Sequence, residues 1–282
     1  MNTEYHHFYS MGTRLDAVFT GIDKAHAEML STLIRNELEA LENILSIYRP
    51  DSELSLLNKT AVDKDISVST RLYDCLVSCM DYYRLSSGVF DAAAAGQDGS
   101  PGMSLVEINE TKKSVRYHHR NIKIDSGGFG KGQAMKDVQG ILLAEGISDA
   151  LISFGESSVL ALGRHPHGSY WPIAVSSIFE PVSSVKVARL NDMSISTSGT
   201  GFADSKGGFE PSCNIIDPRS GNAVVEPRTA SVISGDPLEA EILSTALLVD
   251  SNCLSGEFDA GGKKAFTVVY DETGQFVINE IF

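Results

Sequence analysis

The stretch Ile124-Asp125-Ser126-Gly127-Gly128-Phe129-Gly130-Lys131-Gly132 stands between two segments of different period. Before it, Asn121 to Ile124 reads as a short strand. After it, apolar positions recur at helical spacing from about Gly132 to Glu145, with Gly146 as the stop. Glycines at the start of a helix let a ligand approach the backbone closely and aim amide N–H groups at it. Lys131 adds one cation, so phosphate is the natural guest. The spacing is neither GxGxxG in a βαβ unit nor GxxxxGK[ST], which sets aside the dinucleotide-binding doubly wound fold and the P-loop. A Gly-Gly bend before a helix is also plain loop geometry, and this stretch alone leaves both readings open.

Outward from the bend, strands and helices mix without regular alternation. Met11 to Phe19 reads as an early strand. Asp23 caps a long amphipathic helix whose apolar positions run from Leu30 to Leu45, and Ser69 opens a second that Gly88 stops. Pro50-Asp51-Ser52 marks a loop, and Ala92 to Gly102 an irregular connection. Short β-type runs are expected at Ser114 to Tyr117, Ala150 to Phe154, Val159 to Leu162, Trp171 to Val175, Val185 to Leu190, Ala230 to Ile233, Phe266 to Tyr270 and Phe276 to Ile278. Asp236-Pro237 begins a helix through about Leu248. This order predicts an α+β fold with mostly antiparallel sheet, as one domain over 1–282 built from two closely packed halves.

The 282 residues, 42% apolar and 21% charged, describe a folded chain with a substantial core and exclude disordered and coiled-coil classes. Against 37 Asp and Glu there are 23 Lys and Arg, for a formal charge of −14. Such a surface repels phosphate backbones, so no nucleic-acid role is expected, and an anionic ligand needs a locally positive pocket. Cys75 and Cys79 lie one helical turn apart, as two small apolar side chains do. The His6-His7, His118-His119 and His165/His167 groups read as surface residues, and Trp171 as core. No run approaches a membrane span, and the start shows no export signal. The expectation is cytoplasmic for a chain native from Met1, and periplasmic or lipid-anchored for one whose export signal was removed.

Two further segments carry polar chemistry. Asn214-Ile215-Ile216-Asp217-Pro218-Arg219-Ser220-Gly221 forms a good turn. Glu241 and Thr245, four apart on the Pro237 helix, share a face and offer a carboxylate and a hydroxyl to one cation, or simply decorate a surface.

With the glycine bend, these segments resemble the ApbE family of FAD:protein FMN transferases from about residue 8 to 280. Met11-Gly12-Thr13, Ser46-Ile47-Tyr48-Arg49-Pro50-Asp51-Ser52-Glu53-Leu54, Gly88-Val89-Phe90-Asp91 and Ser196-Thr197-Ser198-Gly199 complete the ordered set. The resemblance implies a T-fold-related α+β architecture with a cleft between subdomains. It also implies FAD as substrate, Mg2+, and an acceptor protein flavinylated on a Thr or Ser. Carried over by position, Gly130, Glu241 and Thr245 are expected to hold the metal and Lys131 to face the phosphates. Met11, Tyr48 and Asp91 match flavin and adenine contacts, Asp217 and Arg219 the wall beside the isoalloxazine, and Thr197 and Ser198 a small-residue turn at the cofactor. Glu241 stands where the family usually has Asp, Asn214 where it has His, and Glu156 where a Gly-Gly-Asp turn is usual. Asn214 therefore keeps hydrogen bonding at a matched catalytic position but not titration near neutral pH. Two readings follow: a transferase, or a flavin-binding relative with little or no transfer activity.

Overall fold

The computed structural model describes residues 2–94, 102–179, 183–203, 209–211, 215–254, 261–271, 273 and 275–282. The chain opens with a hairpin, β1 (Thr3–Ser10) and β2 (Thr13–Thr20). Its two-residue turn is Met11-Gly12, with φ of 49° and 74°. Positive φ at both turn positions matches the right-handed strand twist. The early strand expected from Met11 to Phe19 is β2, with Met11 at the hairpin tip before it; β1 is an addition to the sequence expectation.

Helix α1 (Lys24–Leu45) begins where the Asp23 side chain accepts from the His26 amide, and it buries Leu30, Ile34, Leu38, Leu41 and Leu45 along one stripe. Ser52 caps α2 (Glu53–Thr60), a short helix absent from the sequence expectation, and β3 (Ile66–Ser67) follows. Ser69 caps α3 (Thr70–Leu85), which buries Cys75 and Cys79 as expected of small apolar groups. Burial pushes the Cys75 thiol up to about 12. β4 (Val106–Asn109) and β5 (Ser114–Tyr117) join β3 in a small sheet.

The strand expected at Asn121 to Ile124 does not form. The Asn58 side chain replaces the strand partner, donating to the Ile124 carbonyl (2.8 Å) and accepting from the Ile124 amide (3.0 Å). Residues 95–101 of the expected irregular connection lie outside the described residues.

After the glycine bend come α4 (Gly130–Ala144), β6 (Ala150–Phe154), β7 (Ser158–Leu162), and a β8 (Trp171–Ser176)/β9 (Ser184–Leu190) hairpin. β10 (Met193–Gly199) leads to two short hairpins, β11 (Gly201–Ala203) with β12 (Phe209–Pro211) and β13 (Ile216–Asp217) with β14 (Asn222–Ala223). β15 (Arg228–Ser234), α5 (Pro237–Val249), β16 (Lys264–Tyr270) and β17 (Phe276–Glu280) close the chain.

The main sheet has eight strands in the order β1-β2-β6-β7-β10-β15-β16-β17, every neighbour antiparallel. One face packs on the helices and forms the larger core. The other lies under the β8/β9 hairpin, where Val159, Ala161, Trp171, Leu190 and Val268 cluster. β7 is buried at all five positions because both faces are covered, so its side chains alternate between two cores rather than between core and water. Trp171 is core, as expected, and its indole N–H donates to the Leu162 carbonyl (3.0 Å).

Candidate active site

α5 lies between the sheet and α4 and is buried along nearly its whole length. Gly132 permits the close approach of the two helices. A Cβ there would stand 2.6 Å from the Glu241 Cβ and 2.9 Å from the Pro237 carbonyl oxygen. The sheet rows that face α5 are not wholly apolar, because Ser158 on β7 and Ser196 and Ser198 on β10 interrupt them.

The Glu241 carboxylate lands on that polar seam. Ser158 Oγ and Ser196 Oγ each donate to its Oε2 at 2.7 Å, and Lys131 Nζ lies 2.5 Å from its Oε1. Ser244 and Thr245 turn their hydroxyls back to the Glu241 carbonyl (2.9 and 3.2 Å), and Ser198 Oγ bonds Ser244 Oγ at 2.9 Å. A carboxylate this deep survives in a core because every oxygen finds a donor. The serines recruited for that purpose, Ser158 and Ser196, support the site's carboxylate and were not named as site residues from the sequence. Serine on a strand face next to apolar neighbours was the available signal.

Two cavities meet at this point. One, of about 360 Å³, is lined by Phe90, Asp91, Thr197, Ser198, Ile215, Glu241 and Thr245 among others. The second, of about 530 Å³, is lined by Met11, Glu42, Ser46, Arg49, Ser126 and Gly130 among others. Tyr48, Asp125, Gly127 and Lys131 border both. Lys131 thus stands at the waist of a two-lobed cleft, with the glycine bend beside it. Asp125, whose Oδ1 accepts from the Gly127 amide (2.8 Å), fixes that bend. Glu42 organises the second lobe, accepting from the Met11 amide at the hairpin tip and from Arg49 (2.9 Å). Neither acid was singled out from sequence.

Most expected site residues gather here. Gly130, Lys131, Glu241, Thr245, Met11, Tyr48, Asp91, Thr197 and Ser198 all lie on the cleft. Tyr48 is 90% exposed at the junction, open to stacking by a ring. Asp91 also organises its own loop, accepting from the amides of Ala93 (2.7 Å) and Met103 (3.1 Å), while burial pushes its carboxyl up.

Three expectations change. Thr197 and Ser198 belong to strand β10, not a turn; a Ser-rich run is stable as a central strand because its hydroxyls bond across to β15 and α5. Asp217 and Arg219 do not border either lobe. Arg219 instead clamps the β13/β14 turn, with Nε 3.0 Å from Asp217 and NH1 2.7 Å from Asp250. That pairing holds the Asp217 carboxyl below its usual range. Glu156 sits on the β6/β7 turn beside Thr13, Arg14 and Asp16, away from the cleft. Asn214 lies outside the described residues.

Chemically, the waist offers one ammonium and a glycine-rich backbone, with the oxygens of Glu241 and Thr245 on the first lobe and Gly130 on the second. Among the described residues no group of three or more His, Cys, Asp and Glu clusters as an all-protein metal cage. No helix of the described residues is long and apolar enough to cross a membrane.

The ApbE family model matches residues 11–252. A Klebsiella pneumoniae protein named FAD:protein FMN transferase is 24% identical over 85% of this chain and 76% of its own length. A Rhodobacter capsulatus protein of the same name is 26% identical over 89% of this chain, which spans about half (51%) of that relative. The solved flavin transferase ApbE from Vibrio cholerae shares the fold, with a TM-score of 0.81, 21% identity, and coverage of 99% of this chain and 97% of that one. The α+β architecture with mostly antiparallel sheet is thus that of the ApbE structures.

Proposed function

This chain belongs to the ApbE family, and on that premise we propose that it is an FAD:protein FMN transferase, moving the FMN half of FAD to a Thr or Ser hydroxyl of an acceptor protein in the presence of Mg2+. The observation that carries this reading is Lys131 at the waist of the two-lobed cleft. A dinucleotide with a half in each lobe would have its pyrophosphate beside that ammonium and the N–H groups of the glycine bend.

In the transfer, the acceptor's hydroxyl oxygen forms a bond to the phosphorus of the FMN half. The bond from that phosphorus to the bridging oxygen breaks, AMP departs with the oxygen, and the hydroxyl proton passes to solvent. Lys131 faces charge that develops on the bridging and departing oxygens, and such a preplaced cation stabilises the transition state more than it could in water. Glu241 holds the ammonium in place through Oε1 while Ser158 and Ser196 fix Oε2. Asp125 keeps the glycine bend in register, and Tyr48 covers the junction.

Mg2+ fits the donor set at this point. It is bound typically through one or two carboxylates together with substrate phosphates, and Glu241 Oε1 already lies against a cation. Glu241, Thr245 and the Gly130 carbonyl would hold it. When bound, the ion neutralises negative charge on phosphate oxygens.

The test is mass spectrometry of a Thr-containing acceptor after incubation with the protein, FAD and Mg2+, with AMP release followed in parallel. A gain of one FMN moiety is expected. Glu241→Gln should lower AMP release by about 10²-fold, the scale for loss of one preplaced electrostatic group. No mass gain and no AMP would overturn the proposal, and unchanged cleavage by Glu241→Gln at the same metal concentration would overturn the metal assignment.

A further inference from the structure

A third depression continues the cleft on the far side of Tyr48. It measures about 670 Å³ and is lined by Tyr48, Asn58, Lys59, Arg120, Lys123 and Asp125 among others. Tyr48 and Asp125 are shared with both lobes, so the groove opens directly onto the waist. Its polar wall gathers three cations. Many others in this chain of charge −14 sit against carboxylates, as do Arg14 on Asp16, Arg71 on Glu37 and Asp137, Lys136 on Asp236, and Arg219 on Asp217 and Asp250. Lys59, Arg120 and Lys123 instead line one groove on two separate segments, α2 and the stretch after β5, with no ion pair to a described carboxylate.

All three cations are exposed. Lys59 is aimed, its Nζ donating to the Pro50 carbonyl (2.8 Å) and leaving two ammonium protons for a ligand. The one acid on the wall, Asp125, has Oδ1 committed to the Gly127 amide. The floor is preformed. Asn58 holds the Ile124 backbone through both its amide groups and accepts from the Tyr117 hydroxyl (2.9 Å), so binding here orders little protein.

We infer that this groove docks an acidic segment of the acceptor protein, next in sequence to the hydroxyl residue that enters the cleft. The inference rests on the reading above that the substrate is a protein. A polypeptide suits the observations better than a small anion, because the cations are spread over two segments of an open groove and the groove leads to the waist where the new bond would form. In a chain of strongly negative surface, such an island attracts an acidic stretch and orients it, with effects on encounter rate and register that salt screens.

The test uses fluorescently labelled nine-residue peptides with a central Thr, carrying Asp and Glu, Asn and Gln, or Lys on one flank. Their binding to the full chain is read by anisotropy, alongside calorimetric titration of FAD. The acidic peptide is expected to bind about 10-fold more tightly than the neutral one, to lose that advantage in an Arg120→Glu/Lys123→Glu double variant, and to weaken as salt rises above about 0.1 M, where the screening length falls below ~10 Å. FAD affinity and the thermal midpoint of that variant should not change. Equal binding of all three peptides, or an acidic-peptide affinity untouched by the double reversal, would overturn the inference. So would equal competition by a single-stranded oligonucleotide, which would make the groove a general polyanion site, or loss of FAD binding in the variant, which would make it part of the cofactor cleft. Failure of the unaltered protein to bind FAD would strike the transferase reading instead, and the peptide comparison reads the groove separately.

Discussion

Two acid–base pairs, both within segments that the sequence marks as functional, have opposite characters. Lys131 and Glu241 are 110 positions apart and meet in the interior, with side chains 28% and 5% exposed. Arg219 and Asp217 are two positions apart on a surface turn, 52% and 23% exposed. The first pair exists only because α4, α5, β7 and β10 converge, and its carboxylate needs the serine hydroxyls to be tolerable. The second is local, satisfies itself, and does not border the cleft. Resemblance in sequence gave both equal standing; burial and partners separate a group that the fold was built around from one that ties off a turn.

The sharpest way to break the contrast is to press on the helix crossing that brings the buried pair together. Gly132→Ala puts a methyl group 2.6 Å from the Glu241 Cβ and 2.9 Å from a backbone carbonyl, which cannot swing aside. Overpacking of that kind should cost about 3 kcal/mol by urea denaturation and weaken FAD binding as Glu241 shifts. An unchanged urea midpoint would mean that the crossing is looser than described.

Shortening the acid comes next. The Glu241 arm reaches Ser158, Ser196 and Lys131 together. Glu241→Asp draws the carboxylate back by one methylene and cannot keep all three. The loss of one hydrogen bond to a charged group predicts about 2 kcal/mol of destabilisation, read from the same denaturation curves. A neutral or stabilising result would show that the serines are incidental.

The smallest effect belongs to the exposed pair. Asp217→Asn keeps an oxygen for the Arg219 amide and should cost less than about 1 kcal/mol at neutral pH, since the guanidinium is half in water. Bonding to Arg219 lowers the Asp217 carboxyl below its ordinary value, so its contribution is present above about pH 4 and fades as pH falls through the lower folded value. Urea midpoints of the two proteins should therefore converge on acidification. A gap that widens toward acid would contradict the assigned pairing.

Legibility followed the same division. Helices α1 and α3 were readable because Asp23 and Ser69 each cap a periodic apolar run, and α5 because Pro237 follows Asp236 at the first helical position. β10 was not, since Ser-Ile-Ser-Thr-Ser-Gly has the composition of a turn and becomes a central strand only when α5 supplies partners for its hydroxyls. Asn121 to Ile124 failed in the other direction, an alternating run whose Ile124 backbone is claimed by one side chain, Asn58. Lys131 on its glycine bend and Glu241 with Thr245 on one helix face were each legible locally, but only the family resemblance joined them in one site, because nothing local announces that two helices so far apart in sequence will touch. Glu42, Ser158 and Ser196 went unassigned for the same reason: each acts on a neighbour that the fold, not the chain, provides.

In the proposed binding mode one dinucleotide spans both lobes with its phosphates at Lys131. Calorimetric titration of the protein and of Lys131→Met with FAD and with riboflavin tests it most directly. The unaltered protein should prefer FAD by at least about 10-fold, near 1.4 kcal/mol, and the variant should lose most of that margin. Equal affinity of the unaltered protein for FAD and riboflavin, or a preference that survives in Lys131→Met, would contradict it.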